Sequence, residues 1–260
     1  KAKHVVAVDL VNHRIACAAM EPRAVTAIAS ANRGLDGHEL ILYSATQVPH
    51  HIRKLVSEQL NLPENSVRVI SPDVGGGFGT KGKHYPEEIV IAWAARKLHR
   101  PLKWVSTRSE AFVSDYQARD HVTHAELTHG RDQINNAELA LDANGKFLAL
   151  RVSTLAGLGA YVSTVGAAVP TSVYTGVLSG PYQIPAIFVD VKAMFTNTVP
   201  TDAYRGAGRP EACYVLESLV EAAATQTGID RVELRRRNFI RVEQMPYTTP
   251  VRPTYDCGNF

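Results

Sequence analysis

Cysteine is scarce in this chain. Cys17, Cys213 and Cys257 are far apart, odd in number and form no C-x-x-C pair. That excludes a disulfide framework and argues against a structural zinc site or an iron–sulfur cluster within the chain, so a reducing, cytoplasmic compartment is expected. An excess of one charge sign is also lacking. Lys and Arg number 28 against 25 Asp and Glu, a net charge of +3. A nucleic-acid partner, which calls for clustered Lys/Arg interleaved with aromatics, is therefore not expected. There is no initiator Met and no signal-peptide pattern. Gly-x-Ser-x-Gly is missing, and no Ser-His-Asp or Cys-His arrangement can be singled out. Val152 to Val189 carries no charge, yet Gly157, Gly159, Gly166, Gly176, Gly180, Pro170, Pro181 and Pro185 interrupt it. A span of about 20 apolar residues does not form with that many breakers, so no membrane span is expected; buried backbone packed close to core or ligand fits better.

What is present is ordinary for a globular chain: 260 residues, 45% hydrophobic and 20% charged. The chain opens in a strand-like run, Lys3–Asp9, and stops after Tyr255–Phe260 without a closing helix. This pattern suggests an internal piece of a longer polypeptide. Hydrophobic periodicity predicts strands at 39–44, 66–71 and 102–106 and helices at 49–60, 86–98 and 210–227. The last helix places Ala212, Cys213, Leu216, Leu219, Val220 and Ala223 on one stripe, and Gly228 stops it. Pro86, Glu87 and Glu88 suit a helix start. Thr107–Glu110 has capping-box spacing, and Asp230 should cap a short basic helix. The fold class that follows is α+β. Residues 118–127 and 130–139 form an internal repeat at an offset of 12; one copy should feed a hairpin turning near Asn144–Gly145, and the other is expected as an inserted loop or hairpin.

Three stretches could carry chemistry. Asp73-Val-Gly-Gly-Gly-Phe-Gly-Thr-Lys-Gly82 follows a predicted strand. Gly77-x-Gly79-x-x-Gly82 formally fits a dinucleotide fingerprint, but the acid expected about 20 residues later is missing and His84-Tyr85-Pro86 intervenes. A Walker loop fails as well, because Lys81 has no glycine before it and no Ser/Thr after it. What remains is a loop stripped of side chains so that peptide N–H groups can approach a ligand, or else a plain glycine-rich turn. Thr201–Glu211 is a small-residue loop entering a helix; Arg205 and Arg209 there suit an anion, or alternatively pair with surface carboxylates. Gln47, between a strand and a helix, can donate an amide hydrogen bond into a cleft or simply neighbour the helix cap. His121, His124 and His129, and the adjacent His50–His51, lack zinc spacing. The basic run from Arg231 to Arg241 reads as a solvated helix face or a subunit contact.

Met20-Glu-Pro-Arg23, Ala45-Thr-Gln47, Asp73–Gly79, Tyr85-Pro-Glu-Glu88, Ala203–Glu211 and Glu233–Asn238 occur in that order. Together they resemble the first molybdopterin-binding region of the large subunit of xanthine dehydrogenase/aldehyde oxidase-type molybdenum hydroxylases, in the carbon monoxide dehydrogenase large subunit-like branch. The resemblance covers residues 1–260, with its core at 1–240, and implies mixed sheets with packed helices. It implies a molybdenum–pyranopterin cofactor (molybdopterin or its cytosine dinucleotide form), attack of a molybdenum hydroxo group on an aldehyde or N-heterocycle, and hydride transfer to the sulfido ligand. Electrons would leave through an iron–sulfur subunit and an FAD subunit. Gln47 would hydrogen-bond a molybdenum oxo group, and Gly76, Gly77, Phe78 and Gly79 would line the cofactor. Arg205 would lie beside metal and substrate, with Gly82, Gly206 and Ala207 at substrate positions. The catalytic Glu belongs to a second molybdopterin-binding region of the same polypeptide, so this piece alone should neither hold the cofactor tightly nor turn over.

Two departures narrow the substrate. Carbon monoxide oxidisers carry a copper-binding Cys where this chain has Gly206, which argues against a Mo–S–Cu site. Purine hydroxylases carry a substrate-binding Glu where it has Gly82, which argues against a xanthine-type substrate. Other readings are a scaffold or interaction domain that kept the fold without the chemistry, and a nucleotide-binding protein using the glycine loop.

Overall fold

The computed structural model describes residues 2–12, 15–30, 36–117 and 133–260. Ten strands and five α-helices are seen among them. They divide into two compact units, Ala16–Tyr116 and Lys1–Ile15 with Gln117–Phe260.

In the Ala16–Tyr116 unit, a four-stranded sheet is built from β2 (Ala24–Ala29), β3 (Leu40–Ser44), β4 (Val67–Ile70) and β5 (Leu102–Val105), in the order β4-β3-β2-β5. Strand β2 pairs antiparallel with β3 and β5, whereas β3 and β4 run parallel with Tyr43 opposite Ile70. The parallel pair needs a crossover, and α1 (Pro49–Gln59) supplies it. Alternation along β2 turns Val25 and Ala27 into a core with Leu40, Leu42, Ile52 and Val56. Ala92 and Ala95 join it from α2 (Pro86–Leu98). That helix has Pro86 in its first turn, Glu87 and Glu88 at its positive end, Arg96 and Lys97 at the other, and His99 in a left-handed cap. The predicted capping box is present: Thr107 Oγ1 accepts from Glu110 N–H ahead of α3 (Arg108–Ser114).

The other unit holds β1 (His4–Asn12), β6 (Gln133–Leu141), β7 (Phe147–Gly159) and β8 (Ala186–Phe195) in that sheet order. The first two junctions are antiparallel and β7–β8 is parallel. Packed against the sheet is α4 (Arg209–Thr227), followed by α5 (Arg231–Asn238). Leu139, Leu141, Val152, Tyr174, Leu216 and Leu219 are among the fully enclosed side chains between these layers. The buried stripe of α4 uses Val215 and Ala224 where Cys213 was expected, and Cys213 is exposed. Val215 lies two residues beyond Cys213, about 200° around a helix and so on the opposite side, and only the packing of α4 on the sheet decides which of the two is enclosed.

The hairpin turns at Asn144–Gly145 as expected, with Gly145 at φ +79. Asn238 of α5 pins it: its Nδ2 donates to Gly145 O at 2.8 Å and Leu234 O at 2.9 Å, and its Oδ1 accepts from Phe147 N–H at 2.8 Å. The uncharged 152–189 stretch buries Leu158, Tyr174, Leu178 and Ile184. Its backbone approaches closely at Gly159, where a Cβ would sit 2.4 Å from Pro200 Cα. Among the described residues no helix is long and apolar enough to cross a membrane. Much of the basic run is paired within the unit: Arg235 reaches Glu217 and Glu221, and Arg237 reaches Glu233 and Asn144 O. The first repeat copy and residues 130–132 of the second lie outside the described residues, and 133–139 form part of β6.

Candidate functional site

Gln47 leaves the C-terminal end of β3, and the glycine loop leaves the C-terminal end of β4. Because these strands are parallel neighbours, both segments emerge on the same edge of the sheet, the edge where open α/β sheets bind ligands. They interlock there. Gln47 N–H donates to Lys81 O at 2.8 Å, and Gly79 N–H donates to Gln47 Oε1 at 3.1 Å. With its oxygen occupied by the loop, the Gln47 amide keeps its NH2 group as a donor on an exposed side chain. The bare Gly77 lets the Gln47 side chain lie against it, since a Cβ there would sit 2.3 Å from Gln47 Oε1 and displace it.

Phe78 adopts φ +52, between Gly76 at +94 and Gly79 at +104, and is 40% exposed. A bulky residue in the left-handed region stores strain of about 1–3 kcal/mol and is held only where its surroundings enforce it. Gly82 closes the loop, its N–H donating to Gly79 O at 3.0 Å.

The loop stands on a charged layer in which Arg23, Lys81 and Asp115 are buried and Glu21 and Glu87 are partly exposed. Glu21 Oε2 accepts from Gly75 N–H and from Lys81 Nζ. Tyr85 Oη donates to Thr80 O at 2.9 Å. The Arg23 guanidinium lies 3.7 Å from the Tyr85 ring centre and pairs with Asp115 at 2.6 Å and Glu87 at 2.9 Å. Burial pushes the Tyr85 hydroxyl far above its ordinary range, so it remains a donor. Burial also raises Glu87, but its bonds to Arg23 outweigh that and hold it below the usual carboxylate range. Glu88 is nearly enclosed and accepts from Tyr85 N–H, Ser44 Oγ and His84, so it anchors α2 to β3.

Arg205, Gly206 and Ala207 lie in the other unit, on the loop before α4. Arg205 and Arg209 are exposed. Gly206, Ala207 and Gly208 all have positive φ, at +99, +37 and +79. Ala207 N–H donates to Tyr204 O at 2.7 Å, and a Cβ on Gly206 would lie 2.7 Å from Pro210 Cγ. The base of this loop is Asp202, 2% exposed, which accepts from Ser163 Oγ and Ala203 N–H. Both candidate loops thus contain a non-glycine residue in the left-handed region, Phe78 in one and Ala207 in the other. Among the described residues no group of three or more His, Cys, Asp or Glu is placed to hold a metal, and His121, His124 and His129 lie outside them.

The sequence matches a family model described as molybdopterin cofactor-binding domain over residues 1–239. The chain belongs to that family. It is 35% identical over 248 residues to the gamma subunit of the 6-hydroxypseudooxynicotine dehydrogenase complex of Paenarthrobacter nicotinovorans, covering 95% of this chain and 29% of that protein. It is 39% identical over 227 residues to the carbon monoxide dehydrogenase large chain of Hydrogenophaga pseudoflava, covering 85% and 26%. The crystal structure of quinoline 2-oxidoreductase from Pseudomonas putida 86 superposes with a TM-score of 0.86 at 32% identity, covering 98% and 30%. The chain therefore spans less than a third of the relatives it matches. The family resemblance and the α+β class of mixed sheets with packed helices are borne out.

A molybdopterin cofactor-binding domain needs neutral donors for an oxygen-rich metal centre, and the Gln47–Gly79 arrangement suits that group. Gln47 packs into the space that a Cβ on Gly77 would take, and with its oxygen bonded to Gly79 N–H the donor it keeps at the loop is a neutral amide NH2. The domain brings Gln47, Gly76, Gly77, Phe78, Gly79 and Gly82 into one loop cluster. Sequence reasoning passed over Glu21, Arg23 and Lys81 as parts of the site. Charged residues beside a glycine loop normally signal solvent or ligand, and their burial, 5% exposure for Arg23 and 2% for Lys81, shows only in the fold.

Proposed function

We propose that this domain forms part of the molybdenum cofactor site of a molybdenum hydroxylase large subunit acting on an aldehyde or an N-heterocycle. The observation that carries the proposal is the Gln47–Gly79 hydrogen bond over Gly77, which commits the Gln47 oxygen to the loop and leaves its NH2 as a donor. Gln47 would hydrogen-bond an oxygen ligand of the cofactor, the Phe78–Gly79 backbone would lie close to the metal's ligands, and Gly76 and Gly77 would line the cofactor. Arg205 would supply the cation that orients the substrate, and Gly82, Gly206 and Ala207, all small, would leave room for it. When bound, the cofactor, as molybdopterin or its cytosine dinucleotide form, supplies two-electron oxidation of a carbon–hydrogen centre with water as the oxygen source. A second molybdopterin-binding region of the same polypeptide would supply the base, and iron–sulfur and FAD subunits would take the electrons. Quinoline 2-oxidoreductase supports the N-heterocycle arm, whereas Gly206 in place of a copper-binding Cys separates this chain from carbon monoxide oxidation.

The test is to purify the complete complex, measure its molybdenum and pterin, and assay aldehydes and N-heterocycles with an artificial electron acceptor. Stoichiometric molybdenum and turnover of one of these classes are expected, with Gln47→Leu lowering kcat/KM by roughly 10²–10³-fold, the cost of one preorganised donor. A complex without molybdenum, or a Gln47→Leu variant with unchanged kcat/KM, would refute the reading.

A further inference from the structure

The glycine loop is held at both ends by one residue. Glu21 N–H donates to Gly75 O at 3.1 Å, and Glu21 Oε2 accepts from Gly75 N–H at 2.9 Å. The same oxygen accepts from Lys81 Nζ at 2.7 Å. The Lys81 side chain is 2% exposed, an unusual place for an ammonium group unless it is paired. Its backbone carbonyl is the acceptor for Gln47 N–H at 2.8 Å and for Thr46 Oγ1 at 3.2 Å. A continuous set of contacts therefore runs from Glu21 through Gly75 and Lys81 to Gln47.

Close packing reinforces it. A Cβ on Gly75 would lie 2.6 Å from Glu21 Cβ, so the strip containing Glu21 sits directly against the loop backbone. Thr46 is fixed from its other side, its carbonyl accepting from Ser71 Oγ at 2.7 Å and its hydroxyl from Val48 N–H at 3.1 Å. Burial acts to raise the Glu21 carboxyl, but the Lys81 ammonium and the Gly75 amide outweigh it and keep it below the ordinary carboxylate range, so Glu21 is an anion at neutral pH.

We propose that Glu21 and Lys81 are positioning residues for Gln47. They set the span of the loop from Gly75 to Lys81, and through the Lys81 carbonyl they set where the Gln47 amide points. Neither is assigned a contact with cofactor or substrate. The inference rests on the site reading above, in which the Gln47 amide meets the cofactor. A lysine suits this role because its chain reaches across the loop while its carbonyl stays on the Gln47 side. A neutral residue at 81 would keep the carbonyl but release the clasp, leaving the loop free to widen while the hydrophobic core of the unit is untouched.

The experiment uses the complete complex with Lys81→Met, Glu21→Gln and Gln47→Leu prepared in parallel. Four readouts are taken: molybdenum and pterin content, the electron paramagnetic resonance spectrum of the dithionite-reduced Mo(V) state, kcat separately from KM, and the melting temperature. For both Lys81→Met and Glu21→Gln, metal content should match the wild type, the Mo(V) g-values should shift, and kcat should fall by roughly 10–10²-fold with KM little changed, the effect of a displacement on the order of 1 Å. Lys81→Arg, which retains the ion pair, should recover most of kcat and the wild-type spectrum. If Gln47→Leu alters the spectrum and kcat while the two clasp variants do not, the positioning role is overturned and the site reading stands. If Gln47→Leu itself changes neither, the site reading fails first. Loss of molybdenum with a lowered melting temperature in both clasp variants would show a purely structural pair and would also overturn the proposal.

Discussion

Replacing Gly77 by alanine tests the site at its tightest point. The new Cβ would lie 2.3 Å from Gln47 Oε1 and 2.7 Å from Cδ, far inside van der Waals contact. Gly77 does not have a positive φ, so the substitution adds no backbone strain. Gln47 is exposed and can swing away, giving up the 3.1 Å bond from Gly79 N–H. A net hydrogen bond is worth about 0.5–1.5 kcal/mol, so stability should fall by no more than that, a melting shift of roughly 2–6 °C. The consequence for chemistry is much larger. Displacing the Gln47 amide by on the order of 1 Å should lower kcat by about 10²-fold, because a preorganised donor loses most of its value when it no longer points at the developing charge. The assay is steady-state turnover of the complete complex, normalised to molybdenum content, beside a thermal melt. A normal rate with normal metal content would mean that the Gln47 amide does not serve the reacting centre. A melting point lowered by 15 °C or so would mean the loop is a folding element, and the reasoning would fail in the other direction.

Two further perturbations address the scaffold. Asn238→Ala should destabilise the unit by about 2–4 kcal/mol in denaturant titration, since it leaves Phe147 N–H and Gly145 O, both bonded to a 1% exposed side chain, without partners; an effect below about 1 kcal/mol would show that the α5–hairpin clasp is dispensable. Lys83 is 3% exposed, and burial lowers its pKa from 10.5 to about 7, against an opposing pull from Cys17. Between those values the unfolded chain holds a proton that the folded chain has released, so stability rises with pH from about 7 to 10.5 and is lost as pH falls through that window. Lys83→Met should flatten this slope, whose ceiling is about 1.4 kcal/mol per pH unit, when denaturant titrations near the two ends of the window are compared; an unchanged slope would assign it to other groups.

Elements were legible wherever local chemistry dictates them. Pro86 with Glu87 and Glu88, Thr107 with Glu110, Asp230 before α5 and Asn144–Gly145 each satisfy backbone groups within a few residues, and each appears where the sequence places it. The motif order from Met20 to Asn238 was likewise enough to reach the family, because six spaced signatures are far more restrictive than any one of them. Helix roll was not legible: Cys213 and Val215 are equally apolar by type, and only the packing of α4 on its sheet turned the second inward.

The sequence by itself determined that residues 73–82 form a glycine-rich loop and that Gln47 stands between a strand and a helix. Only tertiary structure decided that the two are one object. Parallel pairing of β3 with β4 brings their C-terminal ends together although residues 45–66 separate the two strands. It decided, too, that Arg23 and Lys81 are buried ion-pair partners rather than surface charges, Lys81 meeting a half-exposed Glu21. Burial depends on which chain segments surround a residue, and that is a property of non-local contacts absent from any local pattern.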